Sequence, residues 1–213
     1  PSRGLGDVYK RQLLHKAGAQ RVVTMALHSP QVHGMFEMPV DHLNANHVIA
    51  EHFRNNGDLS NTVVVSPDFG NVKEANQFAR LLDLPVAAGA KRRLTDDRVV
   101  IDSIVGDVAG KDVIVLDDEI ATAGSLVELF DKLREVGVNS ISAACVHGLF
   151  TGPAVERLNA QDDLKEIVCT NTVPPRVAGD LQKLTVLTVA PLFAEAVRRI
   201  NSGESISSLF DAP

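Results

Sequence analysis

Residues 113–125 have the sequence VIVLDDEIATAGS, and this segment is the clearest indication of the fold class. Its first four residues form a continuously apolar run, which is typical of a strand covered on both faces of a sheet. Asp117 and Asp118 end that run, and a loop of small residues then leads into a segment whose apolar residues recur every three or four positions. This spacing predicts an amphipathic helix. A buried strand that passes through a short loop into a helix is the building unit of a parallel α/β sheet.

The alternation of strands and helices extends outward from this stretch in both directions. Further strands are predicted at residues 21–25, 62–66, 85–88, 140–146, 167–170 and 185–189. Helices are predicted at residues 45–56, 72–82, 126–136 and 191–201, the third opening at a capping box of Ser125 with Glu128 and ending at Gly137. The pattern therefore predicts an α/β fold in which a parallel sheet has helices on both faces.

Composition excludes several function classes. The 213 residues include 21 Lys and Arg and 27 Asp and Glu, which gives a formal net charge of −6. Nucleic-acid-binding proteins usually carry a surplus of basic residues, so the charge argues against that class. No run of about 18 apolar residues occurs, which excludes a membrane-spanning helix. Cys145 and Cys169 both lie in apolar runs predicted to be strands, so we expect reduced core thiols and a cytoplasmic protein.

The loop after the quoted strand has the composition of an anion site. Backbone N–H groups at a helix N-terminus attract anions, and Gly124 allows a phosphate to approach the backbone closely. Asp117 and Asp118, beside the loop, can accept hydrogen bonds from sugar hydroxyls. In open α/β sheets ligands bind beyond the carboxyl ends of the strands, where these residues lie. The combination predicts a site for a sugar phosphate.

The same stretch resembles the phosphoribosyl diphosphate-binding motif of the type I phosphoribosyltransferases, which include the ribose-phosphate diphosphokinases. Other segments resemble the diphosphokinases in particular and cover roughly residues 13–210. They are ALHSPQVHGMFEMPVD (26–41), SPDFG (66–70), AKRR (90–93), VGDV (105–108), HGLFTGPA (147–154), TNTVP (170–174) and AEAVRRINSGESISSLF (194–210). Of these, AKRR resembles the start of the flexible catalytic loop of the family, so a loop is expected to begin there.

The resemblance implies a type I phosphoribosyltransferase-like fold and a specific reaction. Members transfer the diphosphate of ATP to O1 of ribose 5-phosphate, giving phosphoribosyl diphosphate and AMP. They use Mg²⁺ and assemble as homo-oligomers, often hexamers built from dimers. By position, the resemblance implies Lys91 and Arg93 as catalytic residues, with Arg93 also binding substrate, and His28 and Asp68 as metal contacts. It further implies ribose 5-phosphate binding by Asp117, Asp118, Ala121, Thr122, Ala123, Gly124 and Ser125.

Four positions depart from the pattern of the family. Ala26 replaces an acid that would orient His28, and Ala121 stands where an Asp is frequent. Ser125 replaces a Thr, and Asn71 stands where a second Gly is usual. Because Asn tolerates a positive φ and because backbone N–H groups can bind the phosphate, we expect the loops to work despite these changes.

The resemblance also suggests a domain organisation. We expect residues 1–12 to be a non-native or disordered tail, 13–45 the remnant of a first phosphoribosyltransferase-like domain, 46–201 a complete catalytic domain and 202–213 a C-terminal tail. About a hundred residues that carry part of the ATP site in the family would then be missing. Alternatives are a phosphoribosyltransferase that consumes phosphoribosyl diphosphate, a non-catalytic synthetase-associated subunit, and a diphosphokinase inactivated by truncation.

Overall fold

The computed structural model describes residues 3–95, 98–174 and 179–209. The chain divides into two compact units, Pro1–Ala45 with Leu192–Ala212, and Asn46–Pro191. The last helix, Ala190–Ser202, therefore belongs mostly to the first unit, although sequence placed it in a domain of residues 46–201. In the described ranges, no helix combines the length and the apolar character that crossing a membrane requires.

The first unit contains a small parallel sheet. Strand β1 (Val22–Met25) pairs in parallel with β2 (Val40–Leu43), and a short 3-10 helix, Pro30–Met35, lies between them in sequence. Helix α1 (Arg3–Lys16) precedes them and spans most of the segment for which a non-native or disordered tail was expected. Gly18, with a φ of 91°, ends this helix, as a left-handed glycine commonly does.

The second unit is built on a seven-stranded sheet. In chain order its elements are α2 (Asn46–Asn56), β3 (Thr62–Ser66), α3 (Val72–Leu81), β4 (Val86–Thr95), β5 (Arg98–Val105), β6 (Asp112–Ile120), α4 (Gly124–Val136), β7 (Ser140–Gly148), α5 (Ala154–Asn159), β8 (Leu164–Thr170) and β9 (Leu184–Leu187). The strand order is β5-β4-β3-β6-β7-β8-β9, and all neighbours are parallel except β4 and β5. The predicted α/β fold is confirmed, with one antiparallel strand added at the sheet edge.

Apolar strands and the stripe of α4 make the core of this unit. Strand β3 is buried along its whole length, and Leu129, Phe130 and Leu133 of α4 are fully buried in the same cluster as Val113 and Val115 of β6. Burying a side chain of this size contributes about 1.5–3 kcal/mol each. This packing fixes the carboxyl end of β6 and the beginning of α4, where the predicted site lies.

Two local predictions were wrong. Residues 90–93 were expected to begin a flexible loop, but β4 continues through them and forms a hairpin with β5, because the β-branched residues after Arg98 supply a partner strand. The capping box of Ser125 with Glu128 does not form. Ala123 takes a left-handed conformation (φ 57°, ψ 13°) and is itself the N-cap, so Ser125 already lies in the first turn. Gly137 ends α4 as predicted.

Candidate active site

The predicted site residues of the second unit lie at the carboxyl ends of three neighbouring strands. Asp68 follows β3, Lys91 lies in the second half of β4, and Asp117 and Asp118 lie in the second half of β6. Because β4, β3 and β6 are adjacent and parallel, their ends meet at one edge of the sheet. The topology therefore brings together residues that are up to 50 positions apart in sequence.

Lys91 and Asp68 form an ion pair at this edge. Lys91 Nζ lies 2.7 Å from Asp68 Oδ2, and about one third of each side chain is exposed. The strand register shifts by one residue between Ala90 and Lys91, an irregularity that can redirect a side chain. Partial burial raises the pKa of Asp68, but the Lys91 ammonium and the backbone N–H groups of Asn71 and Gly70 outweigh it, so the net pKa lies below the usual value. Asp68 is therefore a carboxylate at neutral pH.

The loop after β3 is held by its own polar groups. Ser66 Oγ donates to the Asp68 carbonyl at 2.7 Å, and the Asn71 N–H donates to Asp68 Oδ1 at 3.1 Å. The Asn71 side-chain amide donates to the Leu116 carbonyl at 3.3 Å, which ties this loop to β6. Asn71 has a φ of −96°, so its tolerance of positive φ is not used. Its side chain instead supplies a bond that a glycine could not.

Asp117 has the most perturbed carboxyl of the site. Its pKa is raised to about 7, and burial is the largest cause. The adjacent Asp118 carboxyl contributes to the rise through a hydrogen bond and its charge, and the charge of Asp68 contributes as well. The Asp118 N–H donates to Asp117 Oδ1 at 3.0 Å and acts in the opposite direction. Near neutral pH this carboxyl is therefore divided between its protonated and ionised forms, and a change in its surroundings can move it either way.

The five predicted phosphate-binding residues form the turn between β6 and α4. Thr122 and Ser125 are exposed, Ala123 is buried, and the N-cap residue Ala123 makes no side-chain capping hydrogen bond. The left-handed conformation of Ala123 costs about 1–3 kcal/mol in a residue other than glycine, and such strain is concentrated at functional loops. Free N–H groups at a helix start, next to a left-handed residue, form an anion-binding concavity.

Arg157 is a residue of this site that sequence reasoning missed. Its Nη1 donates to the Thr122 carbonyl at 2.9 Å, and it lies 3.2 Å from the position that a Cβ at Gly124 would occupy. The side of Gly124 that was expected to face a phosphate thus faces a guanidinium. The arginine comes three residues after the matched segment 147–154, and its contact spans 35 residues of sequence, so no local pattern indicated it.

Two further site residues remain predictions. His28 lies in the first unit, after β1, so its metal contact stays a prediction. The backbone of Arg93 pairs with Val99 in the β4–β5 hairpin, but its side chain lies outside the described residues. Within the described ranges no group of three or more His, Cys, Asp or Glu residues has a geometry suited to a metal. The Asp68 carboxylate does fit Mg²⁺, which is usually held by one or two carboxylates together with substrate phosphates.

Comparisons with known proteins identify the family of the chain. The model of the phosphoribosyl synthetase-associated domain family matches residues 95–211, more than half of the chain. A Streptomyces coelicolor protein provisionally named ribose-phosphate pyrophosphokinase is 58% identical over 212 residues, which are 100% of this chain and 67% of that protein. The Deinococcus radiodurans ribose-phosphate pyrophosphokinase is 48% identical over 93% of this chain and 63% of its own length.

A solved structure shows the same architecture. The phosphoribosylpyrophosphate synthetase of Mycobacterium smegmatis superposes with a TM-score of 0.83 and 34% identity, covering 95% of this chain and 66% of that one. The chain thus spans about two thirds of the length of its relatives. The fold is of the type I phosphoribosyltransferase kind, and the chain belongs to the ribose-phosphate pyrophosphokinase family.

Proposed function

We propose that the chain is a ribose-phosphate diphosphokinase, which transfers the diphosphate group of ATP to O1 of ribose 5-phosphate. O1 forms a bond to the β-phosphorus, the bond from that phosphorus to the oxygen bridging to the α-phosphorus breaks, and the O1 proton is released. The products are phosphoribosyl diphosphate and AMP. The observation that carries the proposal is the Lys91–Asp68 ion pair at the same sheet edge as Asp117 and the start of α4.

The turn of residues 121–125 binds the 5-phosphate of the sugar in this proposal. The backbone N–H groups at the start of α4 donate to the phosphate oxygens, and the positive end of the helix dipole favours the negative charge. Asp117 and Asp118, immediately before the turn, accept hydrogen bonds from the ribose hydroxyls. The order of groups along the chain, acids first and N–H donors next, matches the order of hydroxyls and phosphate along the sugar.

Lys91 provides positive charge to the diphosphate during transfer. Phosphoryl-type transfer depends mainly on positioning and on electrostatic stabilisation of charge that develops on the phosphate oxygens. The ammonium is partly exposed, and Asp68 is its ion-pair partner among the described side chains, so it can turn from Asp68 to a bound phosphate. Arg93, two positions further along β4, is proposed to serve the same phosphates.

Mg²⁺ is the proposed cofactor, and Asp68 is the residue of this unit that would hold it. When bound, the ion neutralises the charge of the phosphates of ATP. Asp68 supports this role because its pKa is lowered and the carboxylate is available at neutral pH. His28 is proposed as a metal contact from the resemblance to the family alone. The buried free thiols of Cys145 and Cys169 favour the cytoplasm as the compartment, and a homo-oligomer is proposed from the family alone.

The test is formation of AMP by this chain from ATP, Mg²⁺ and ribose 5-phosphate, with calorimetric binding of ribose 5-phosphate measured in parallel. We expect equal amounts of AMP and phosphoribosyl diphosphate, and no AMP when a chelator removes Mg²⁺. Lys91→Met should slow AMP formation by about a hundredfold or more, the usual effect of losing one donor to developing charge, with little change in ribose 5-phosphate affinity.

Lys73→Met is the matched control, because Lys73 is an exposed lysine in the first turn of α3 and should be dispensable. A chain that neither forms AMP nor binds ribose 5-phosphate would refute the proposal. If the chain binds the sugar phosphate but releases no AMP, the proposed function would be limited to substrate binding. Loss of ribose 5-phosphate affinity in Lys91→Met would contradict the role given to the lysine.

A further inference from the structure

Three consecutive carbonyl groups at the end of β6 and in the phosphate-binding turn accept hydrogen bonds from a single segment of the chain. The Ile120 carbonyl accepts two backbone N–H groups at 3.0 Å, and the Ala121 and Thr122 carbonyls each accept one donor at 2.9 Å. The donors all come from the segment after β7, in the order Leu149 N, Phe150 N, Thr151 N and Arg157 Nη1. Three of these donors are backbone groups, and the fourth is the guanidinium of Arg157.

Fixing a carbonyl also fixes the N–H group of the same peptide. In a planar trans peptide the C=O and the following N–H point in opposite directions. The N–H groups of Ala121, Thr122 and Ala123 are therefore turned away from the segment 149–157. Arg157, through the Thr122 carbonyl, sets the direction of the Ala123 N–H, and Ala123 is the left-handed residue that starts α4.

The guanidinium of Arg157 lies close to the first residue of α4. Arg157 Nη1 lies 3.2 Å from the ideal Cβ position of Gly124, the first residue of α4, and a cation at the positive end of a helix is destabilising. An anion bound at the same helix start would reverse the sign of this interaction. The guanidinium is therefore placed where it adds to the attraction of the helix start for an anion.

We propose that Arg157 is a positioning residue for the 5-phosphate of ribose 5-phosphate: it holds the Thr122 carbonyl so that the Ala123 N–H is directed at the phosphate. This inference rests on the proposed function. It deepens that function by adding a residue outside the turn itself. The hydrogen bond accounts for orientation, and the charge of the guanidinium adds attraction for the phosphate.

The test compares three variants by calorimetric titration of the whole chain with ribose 5-phosphate. Arg157→Met, which removes the donor and the charge but keeps much of the volume, should weaken binding about tenfold, the size expected for one net hydrogen bond. Arg157→Lys should recover part of that loss. Arg134→Met is the matched control, because Arg134 lies at the other end of α4 and bonds Asp163 and Asp131 instead; its affinity should equal that of wild type.

Nuclear magnetic resonance supplies a readout that does not need the ligand. The ¹⁵N order parameters of the amides of residues 121–125 should fall in Arg157→Met and stay unchanged in Arg134→Met. Equal ribose 5-phosphate affinity in wild type and Arg157→Met would overturn the positioning role while leaving the proposed function intact. A wild-type chain that does not bind ribose 5-phosphate would instead defeat the proposed function. In that case unchanged order parameters in Arg157→Met would overturn the positioning role separately.

Discussion

Asp117→Asn is expected to stabilise the folded chain above pH 7 and to remove part of its pH dependence. The side chain has a pKa of about 7 in the folded chain, mainly because of burial, against 3.8 as its ordinary value. Between these two values the folded chain holds a proton that the unfolded chain has released. Stability therefore falls as the pH rises through this interval, and the full cost is present above pH 7. An amide of the same shape has no charge to desolvate.

The size of the effect follows from the two pKa values. Each pH unit in the interval costs 2.303RT, about 1.4 kcal/mol, so the ceiling at pH 8 is about 4 kcal/mol, of which roughly 2–3 kcal/mol develops between pH 5 and pH 7. The hydrogen bond from the Asp118 N–H survives in the variant, because an Asn side-chain oxygen also accepts.

Urea unfolding at pH 5, 6, 7 and 8, followed by circular dichroism, measures this effect. The difference in unfolding free energy between Asp117→Asn and wild type should grow with pH and level off above pH 7. Asp107→Asn is the control, since that carboxylate is largely exposed and forms a surface ion pair with Lys111. A variant less stable than wild type at pH 8, or a difference that is constant with pH, would show that the Asp117 carboxyl is not destabilised by burial. The same variant should bind ribose 5-phosphate more weakly, because it has lost a charged acceptor.

Two further predictions concern packing and thiol reactivity. Gly89→Ala should lower the free energy of unfolding by about 1–3 kcal/mol and reduce AMP formation, because its Cβ would lie 2.7 Å from the Pro67 carbonyl oxygen and push β4 away from the loop after β3. Gly57→Ala is the control, because the nearest atom to its Cβ would be 3.8 Å away. Equal unfolding midpoints for the two variants would contradict the predicted clash. Burial raises the pKa of Cys145 and raises that of Cys169 to about 11. In the folded chain both thiols should therefore resist a thiol reagent at pH 8, whereas in urea they should react. Rapid labelling without urea would contradict this prediction.

The strands that sequence predicted best are those whose burial is complete. Strand β3 was predicted with its observed bounds, Thr62–Ser66, because five consecutive buried residues leave no alternating pattern to misinterpret. Strand β5 was missed because Asp102 and Ser103 interrupt its apolar run, and its pairing with β4 depends on residues across the hairpin. Helix α5 was missed because its six residues are too few to establish a helical period.

The residues of the candidate site also differ in how far the sequence could predict them. Asp117, Asp118 and the turn after them are contiguous, so the sequence presents them together as one motif. The Lys91–Asp68 pair joins residues 23 positions apart, and only the resemblance to a family suggested that they act together. The pKa of Asp117 depends on burial by neighbouring strands and on Asp68, which a linear pattern does not contain.

The way the phosphate-binding turn is held explains why its side chains can vary. Ala121 stands where the family often has Asp, yet the Ala121 carbonyl is fixed by the Thr151 backbone N–H, a bond that does not depend on either side chain. Ser125 is exposed and caps nothing, so its replacement of Thr leaves the helix start unchanged. The one side chain that fixes a carbonyl of the turn among the described contacts is Arg157. Substitutions within the turn should therefore be better tolerated than substitution of that arginine, although it lies more than 30 residues away.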